Sequence, residues 1–472
     1  MPQRAFVAID PGATSGRVML CRLADSRLTL REAHRFPNQP VFYNGGLHWN
    51  MPGIWQEIRR GLDSIDTPVD SIGVDSWGVD YALLGEGGAL LENPFHYRDA
   101  RTDGVMEEVC ARIGADRLYD ITGVQLMPIN TLYQLCAAQR RMPRVLAAAE
   151  HLVTIPDLVN FWLTGTIGCE YTIASTTQML SQRTRDWAAD LLRALELPTH
   201  LLTRIVPPGT RLGALSGAEV IAPACHDTAS AVASVRASGD TAFLSSGTWS
   251  LLGTEVPAPV VTAAARDLNF TNEGGVCGTT RLLKNITGLW LLEGCRKQWT
   301  ATWDELLAQA EAAPPLRSLI DPDNPAFVRP ENMTAAICDY CRQTDQPAPA
   351  DCGQFVRAVL ESLALKYRCV LEQLETVTGS RFTAIRVIGG GAKNALLNQF
   401  TADATGRTVI AGPAEATALG NVAMQMLVLG EVATLDAARD FIEWSQTPAH
   451  FDPRPSPAWD KAYKSFIDVC RR

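Results

Sequence analysis

A chain of 472 residues exceeds what one hydrophobic core ordinarily organises and suits two or three domains. Hydrophobic residues at 46% and charged residues at 20% describe a globular protein able to bury two large cores without disulfides or structural metals. The net charge of −9 argues against nucleic acid as the main partner, because such proteins carry a basic stripe and the densest basic group here, Arg140, Arg141 and Arg144, is a short solvated helix end.

The acidic balance also requires that any phosphate ligand be held by a local site and not by overall attraction. The opening Met1-Pro2-Gln3-Arg4 runs into a strand-like segment with no leader pattern, and no apolar run reaches the roughly 18 residues of a membrane helix. A cytoplasmic protein is expected, with its 12 scattered cysteines mostly reduced and buried. Cys338 and Cys341 form a lone C-x-x-C with no second ligand pair nearby, which reads as two thiols on one helix face.

In chain order, Phe6-Val7-Ala8-Ile9-Asp10, the turn residues 11–17 and Val18-Met19-Leu20 predict strand, tight turn, strand. Residues 71–75 predict a strand, and residues 104–113 and 132–139 predict helices. Residues 220–223 read as a strand entering a turn. Residues 241–244, the small polar turn 245–248 and residues 249–252 repeat the first hairpin half a chain later, which points to two similar domains. A long amphipathic helix is expected over 354–376. Residues 385–388 predict a strand, followed by Gly389-Gly390-Gly391 and a helix from 394 to about 405. Proline-rich stretches near 314–315, 322–330 and 347–349 predict surface loops, and the proline-containing end from about 447 predicts chain wrapping the surface. The class is α/β with a mixed sheet in each half, joined near 236–239, giving an N-terminal domain over 1–236 and a C-terminal domain over 237–472.

The first hairpin carries phosphate chemistry. Backbone N–H groups of a glycine turn converge on a small radius, Thr14 and Ser15 add hydroxyls, and Arg17 adds charge-assisted donors. Asp10 at the strand end can hold Mg²⁺ through its water shell, since Mg²⁺ takes few protein carboxylates. A strand follows the turn where a P-loop or dinucleotide fold would have a helix, so both of those sites are disfavoured. An ordinary hairpin is the alternative for this segment alone. Ser246, Gly247 and Thr248 offer a second phosphate hairpin, and Gly389, Gly390 and Gly391 a strand-to-helix turn suited to a nucleotide. Phosphoryl transfer to a hydroxyl needs a carboxylate to take its proton. Asp227, in Ala224-Cys225-His226-Asp227-Thr228-Ala229-Ser230-Ala231, opens a helix of small residues, where the backbone field favours negative charge. A plain helix cap is the other reading. Asp75-Ser76-Trp77-Gly78-Val79-Asp80-Tyr81 and Tyr97-Arg98-Asp99-Ala100-Arg101-Thr102-Asp103 combine aromatic faces with charged hydrogen-bonding groups, as sugar pockets do.

At these residues the sequence resembles the FGGY carbohydrate kinases. The likeness lies in Asp10, Gly12, Thr14, Ser15 and Arg17, in Tyr97, Asp99 and Arg101, in Asp227, in Ser246, Gly247 and Thr248, and in Gly389, Gly390 and Gly391. It extends from Phe6 to about Ala411. It implies two actin-like, ribonuclease H-like domains around an interdomain cleft. It also implies ATP with Mg²⁺ as cofactors, a small sugar substrate and a monomer or small homo-oligomer. Nucleotide is implied near Ala13, Thr14, Ser15, Gly16, Arg17, Gly247, Thr248, Gly390 and Gly391. Sugar is implied near Gly78, His226, Asp227, Thr228 and Asn285, with Trp77 and Asp75 beside it. Residues 73–80, 226–232, 244–251, 271–275 and 284–292 resemble the branch that phosphorylates L-rhamnulose at its C1 hydroxyl. Other ketoses or deoxysugars, such as L-fuculose and xylulose, are the near alternatives, and an actin-like ATPase without a sugar acceptor is the distant one. Glu293 departs from that branch, which carries a nucleotide-associated glutamine there; a carboxylate would meet the phosphates differently.

Overall fold

The computed structural model describes residues 4–25, 27–454 and 456–471. The segment Met1-Pro2-Gln3, expected to lead into the first strand, lies outside them. The chain divides into two compact units, and not at a single point. One comprises Met1–Arg236, Glu255–Leu282 and Ala416–Gln446; the other comprises Ala237–Thr254, Leu283–Glu415 and Thr447–Arg472.

The first unit is built on a six-stranded mixed sheet. Its strands are β1 (Arg4–Pro11), β2 (Ser15–Ala24), β3 (Arg27–Pro37), β4 (Ser71–Val74), β5 (Thr210–Leu215) and β6 (Ala218–Ala222), in the order β5-β6-β4-β1-β2-β3. The hairpin β1–β2 is antiparallel, with Asp10 opposite Arg17, while β4 runs parallel to β1 and β6 parallel to β4. Side chains two apart along a strand share a face. Thus Phe6 and Ala8 of β1 and Met19, Cys21 and Leu23 of β2 form one apolar surface, covered by Ala418, Leu419, Val422, Ala423 and Met426 of helix Ala416–Val428. Those five positions recur at the spacing of one helical face.

The second unit repeats the hairpin. Strands β7 (Thr241–Ser246), β8 (Trp249–Val256), β10 (Thr280–Thr287), β11 (Ala384–Ile388), β12 (Thr408–Ala411) and β13 (Ala449–Phe451) follow one another in the sheet order β10-β8-β7-β11-β12-β13, while β9 (Thr271–Gly274) and the first residues of β10 fall in the first unit's segment Glu255–Leu282. Again the first hairpin strand has a parallel neighbour on its far side, with Ser245 opposite Ile388. Helix Cys352–Thr378 starts at an Asp351 cap and ends at Gly379 in the left-handed region, the usual stop for a helix. The end of the chain does more than wrap the surface. Residues 449–451 pair with β12, and helix Pro457–Val469 buries Trp459 and Phe466, with the Trp459 ring against Phe400. Proline at 457 occupies the first helical turn, where a missing N–H costs nothing.

Among the described residues no helix is long and apolar enough to cross a membrane, and the twelve cysteines are free thiols. Cys338 and Cys341 share helix Met333–Gln343, with Cys341 buried.

Candidate active site

Parallel neighbours end at the same edge of a sheet, and this brings three distant aspartates together. Asp10 ends β1. Asp75 follows β4 and donates its N–H to the Ile9 carbonyl at 3.0 Å. Beyond β6, Ser76 donates to the Cys225 carbonyl at 2.9 Å and Asp227 donates to the Ser76 carbonyl at 2.8 Å. Asp10, Asp75 and Asp227 thus share one edge of the first unit. Burial, then the Asp10 charge, pushes the Asp75 carboxyl well above the usual carboxylate range, with a further push from Asp227; the Asn421 amide, donating at 2.5 Å, and Arg17 act the other way. The three differ in access. Asp75 is fully buried, the Asp10 side chain is 5% exposed and bonded to Arg17 at 2.8 Å, and the Asp227 side chain is 32% exposed. Asp227 alone of the three is open to a ligand.

Asp227 is the first residue of helix Asp227–Ala233, with His226 in the cap position. Its Oδ1 accepts from the Thr228 backbone N–H at 2.5 Å and the Thr228 hydroxyl at 3.1 Å, which orients the carboxylate. The helix is anchored by close approach: a methyl group on Gly420 would overlap the Ser230 carbonyl oxygen, so helix Ala416–Val428 lies directly against the helix that carries Asp227. His226 sets its Nε2 at 3.4 Å from Asp227 Oδ1.

The aromatic stretch after β4 folds inward. The Trp77 ring is buried 4.3 Å from that of Trp49, and both indole N–H groups donate to Asp80 Oδ2, at 3.0 and 2.6 Å. Gln134 donates to Asp80 Oδ1 at 2.8 Å. Burial raises the Asp80 carboxyl to about 6 against these donors. Asp80 also donates its N–H to the Gly78 carbonyl at 2.9 Å, a three-residue turn that leaves Val79 at φ +66. A β-branched residue there is strained and persists only where its surroundings hold it. The Thr176 hydroxyl accepts from the Val79 N–H, and Thr131 and Gln134 donate to its carbonyl. Asp99 and Arg101 serve this scaffold: Asp99 accepts from the backbones of Leu47 and Arg101, and the Arg101 guanidinium lies 3.9 Å from the Phe95 ring centre while bonding Gln134. Tyr97 is buried here as well, its ring 4.5 Å from that of His96.

At the turn between β1 and β2, Ala13 and Ser15 are half-buried and Thr14 is exposed, followed by buried Gly16. Asn38 braces the turn, donating its backbone N–H to the Thr14 carbonyl and its amide to the Gly12 carbonyl.

The second unit gathers its own set. The register of β7 with β11 puts the 246–248 turn beside Gly389-Gly390-Gly391, and Gly391 packs so closely on Ser246 that a side chain would overlap its hydroxyl. Gly390 is exposed, with open space beside it. Thr248 accepts from the backbones of Gly288 and Trp290, which ties the turn to helix Trp290–Arg296, and Glu293 is exposed on that helix. Asn285 stands half-buried on β10 in this unit.

Among the described residues no group of three or more His, Cys, Asp and Glu side chains is arranged to hold a metal ion. A Mg²⁺ ion that keeps most of its waters and takes one or two carboxylates with phosphate oxygens needs no such group. The edge holding Asp10 beside Asp75, whose Oδ1 is buried with no hydrogen-bond partner among the described residues, fits that requirement.

Several residues that shape the site were not singled out as functional in the sequence reading. Asn38 and Asn421 act on partners far away in the chain and carry no motif. Arg281 and Glu273, beside His226, stand in or next to a stretch of family resemblance but had no assigned role.

The comparisons with known proteins agree over the full length. The model of the "FGGY family of carbohydrate kinases, N-terminal domain" matches residues 5–234, and that of the "FGGY family of carbohydrate kinases, C-terminal domain" matches residues 242–429. A rhamnulokinase of Bacteroides thetaiotaomicron is 45% identical over 481 aligned positions covering 99% of each chain. A rhamnulokinase of Yersinia pestis is 43% identical, covering 95% of each chain. In fold, a ligand-bound xylulose kinase from Lactobacillus acidophilus superposes with a TM-score of 0.80 at 17% identity, covering 99% of this chain and 98% of its own. Both units have the mixed sheet flanked by helices of the actin-like, ribonuclease H-like fold.

Proposed function

Because the chain belongs to the FGGY family of carbohydrate kinases, we propose that it transfers the γ-phosphoryl group of MgATP to the C1 hydroxyl of L-rhamnulose, giving L-rhamnulose 1-phosphate and ADP. It is an ATP-dependent enzyme of rhamnulokinase type. The observation that carries the choice of sugar is the run of rhamnulokinase relatives at 43–45% identity over nearly the whole chain. Asp227, the most accessible carboxylate of the three, accepts the C1 hydroxyl proton. The sugar oxygen forms its bond to the γ-phosphorus as the bond from that phosphorus to the β–γ bridging oxygen breaks, and ADP carries away the bridging oxygen with its electron pair.

Each assigned group has a task its surroundings allow. His226, Thr228 and the backbone at Gly78 meet sugar hydroxyls, and Asn285 is assigned to the sugar as well. Trp77 and Asp75, being buried, act by holding the Gly78 turn and the charge balance at the edge. Ala13, Thr14, Ser15, Gly16 and Arg17 receive phosphate oxygens, with Gly247 and Thr248 as the second phosphate turn and Gly390 and Gly391 at the adenosine. Glu293 borders the nucleotide without donating to it. Asp10 would hold Mg²⁺ through water, and the ion would neutralise charge on the phosphates. A cytoplasmic location follows from a substrate pair of ATP and a small ketose. The division of labour is a sugar- and phosphate-binding part over 1–236 and a nucleotide-binding part over 237–472. A monomer or small homo-oligomer is in keeping with it.

The test is ADP release with MgATP against L-rhamnulose, L-fuculose, L-ribulose, D-xylulose and glycerol. Preference for L-rhamnulose by at least about tenfold in kcat/KM, about 1.4 kcal/mol in transition-state binding, supports the assignment. Preference for another sugar overturns the substrate and keeps the chemistry. ADP release indifferent to every sugar overturns the kinase reading in favour of an actin-like ATPase.

A further inference from the structure

We propose that Arg281 is a positioning residue for phosphoryl transfer: it locks the His226 imidazole in the tautomer that carries its proton on Nε2, facing Asp227. Arg281 lies in the part of β10 that belongs to the first unit, and its side chain is wholly buried. Its Nε donates to the Gly274 carbonyl at 2.9 Å, and its Nη2 lies 3.0 Å from His226 Nδ1 and 3.1 Å from Glu273 Oε2. A guanidinium has only donors and keeps its proton in proteins. His226 Nδ1 must therefore offer a lone pair. The one proton of the neutral ring is then on Nε2, the nitrogen 3.4 Å from Asp227 Oδ1.

The neighbourhood makes this choice a real one. Glu273 Oε2 stands 3.4 Å from the same Nδ1 and would stabilise the opposite tautomer if Arg281 were absent. The histidine backbone is fixed separately, its N–H donating to the Thr172 hydroxyl at 3.2 Å, and Thr172 in turn is bound by the buried carboxylate of Glu170. Arg281 Nη1 is buried with no hydrogen-bond partner among the described residues, so the guanidinium is not placed to satisfy itself best. The consequence is directional. With its proton on Nε2, His226 is a donor toward the Asp227 carboxylate and toward any hydroxyl seated beside the pair, so the hydroxyl proton has Asp227 as its acceptor. In the other tautomer Nε2 would present a lone pair, compete for that proton and repel the carboxylate.

The inference rests on the kinase reading only for its kinetic consequence, and the tautomer can be measured without it. In protein labelled with 15N-histidine, with the His226 signals assigned by their loss in His226→Gln, the unmodified enzyme is expected to show an unprotonated Nδ1 and a protonated Nε2 at neutral pH. A protonated Nδ1 in the unmodified protein overturns the proposal, whatever sugar the enzyme takes. Arg281→Met should move the proton to Nδ1, against Glu273, and lower kcat on the order of tenfold or more, with the sugar KM changed by less than about threefold. Arg281→Lys, which retains a donor, should restore the Nε2–H tautomer and much of kcat. Because Arg281→Met strands the buried Glu273, the pair Arg281→Met with Glu273→Gln keeps the charge balanced. In that pair, a kcat at the unmodified level together with a mixed or reversed tautomer also overturns the proposal.

Discussion

A carboxylate serves as a base only where a substrate oxygen can reach it, and among Asp10, Asp75 and Asp227 only the last is open. Asp227→Asn keeps the shape and the hydrogen bond from Thr228 but cannot take a proton. Sugar affinity by calorimetry is expected to change by less than about threefold while kcat falls by about 10² or more. Substantial turnover in the variant would remove Asp227 from the role. Elsewhere burial raises the Asp157 carboxyl to about 7, against hydrogen bonds from Thr154, Cys169 and the Glu170 backbone. Folded, this group binds its proton more tightly than unfolded. Its stabilising contribution is therefore complete below the unfolded pKa near 4 and is lost as pH rises through about 7. Asp157→Asn has no such dependence. The stability gap between the two proteins, from urea unfolding, is expected to move in favour of the variant by about 3 kcal/mol between about pH 5 and about pH 8. A gap constant across that range would mean that Asp157 is ionised throughout.

Helix Asp227–Ala233 carries the base, and its seat is the close contact between Gly420 and the Ser230 carbonyl. Gly420→Ala must push the two helices apart. The expected cost is about 1–3 kcal/mol in urea unfolding, with a fall in kcat as Asp227 moves with its helix. An unchanged kcat in a destabilised protein would show the base to be held by the β6 loop alone. This element also marks how far the sequence could be read. Hairpins β1–β2 and β7–β8 were legible because glycine turns separate β-branched or apolar runs, and Asp227 because it opens a helix of small residues beside a strand end. Gly420 was not, because a glycine among small helical residues has meaning only once its neighbour across the interface is known. Asn421 bonds an aspartate 346 positions away and Arg281 a histidine 55 positions away, so neither role has a local signature. Trp77 was read as a sugar-facing ring from composition. Its burial against Trp49 follows from the turn at Val79, which swings Asp80 inward to collect both indoles.

The whole chain passes between its two units after residues 236, 254, 282, 415 and 446. A polypeptide ending at Arg236 has all six strands of the first sheet but lacks Leu419, Val422 and Met426, which cover Phe6, Ala8 and Met19. Burying one such side chain contributes roughly 1.5–3 kcal/mol, so losing several removes a large part of a domain's net stability. The 1–236 fragment is expected to melt without a cooperative transition by circular dichroism. A sharp, reversible melt would show that the remaining residues suffice. The sequence pattern was read as a single junction near 236–239 and carried no sign of the return of residues 416–446, because helix allegiance is decided by packing and not by order along the chain. The same interleaving matters while the protein is being made. Strands β1 and β2 leave the ribosome roughly 400 residues before the helix that covers them, a wait of roughly 20 to 80 seconds at 5–20 residues per second. For that interval the apolar face of the first sheet is open to holding chaperones, and a message broken before codon 416 yields a chain whose fate is set by proteolysis.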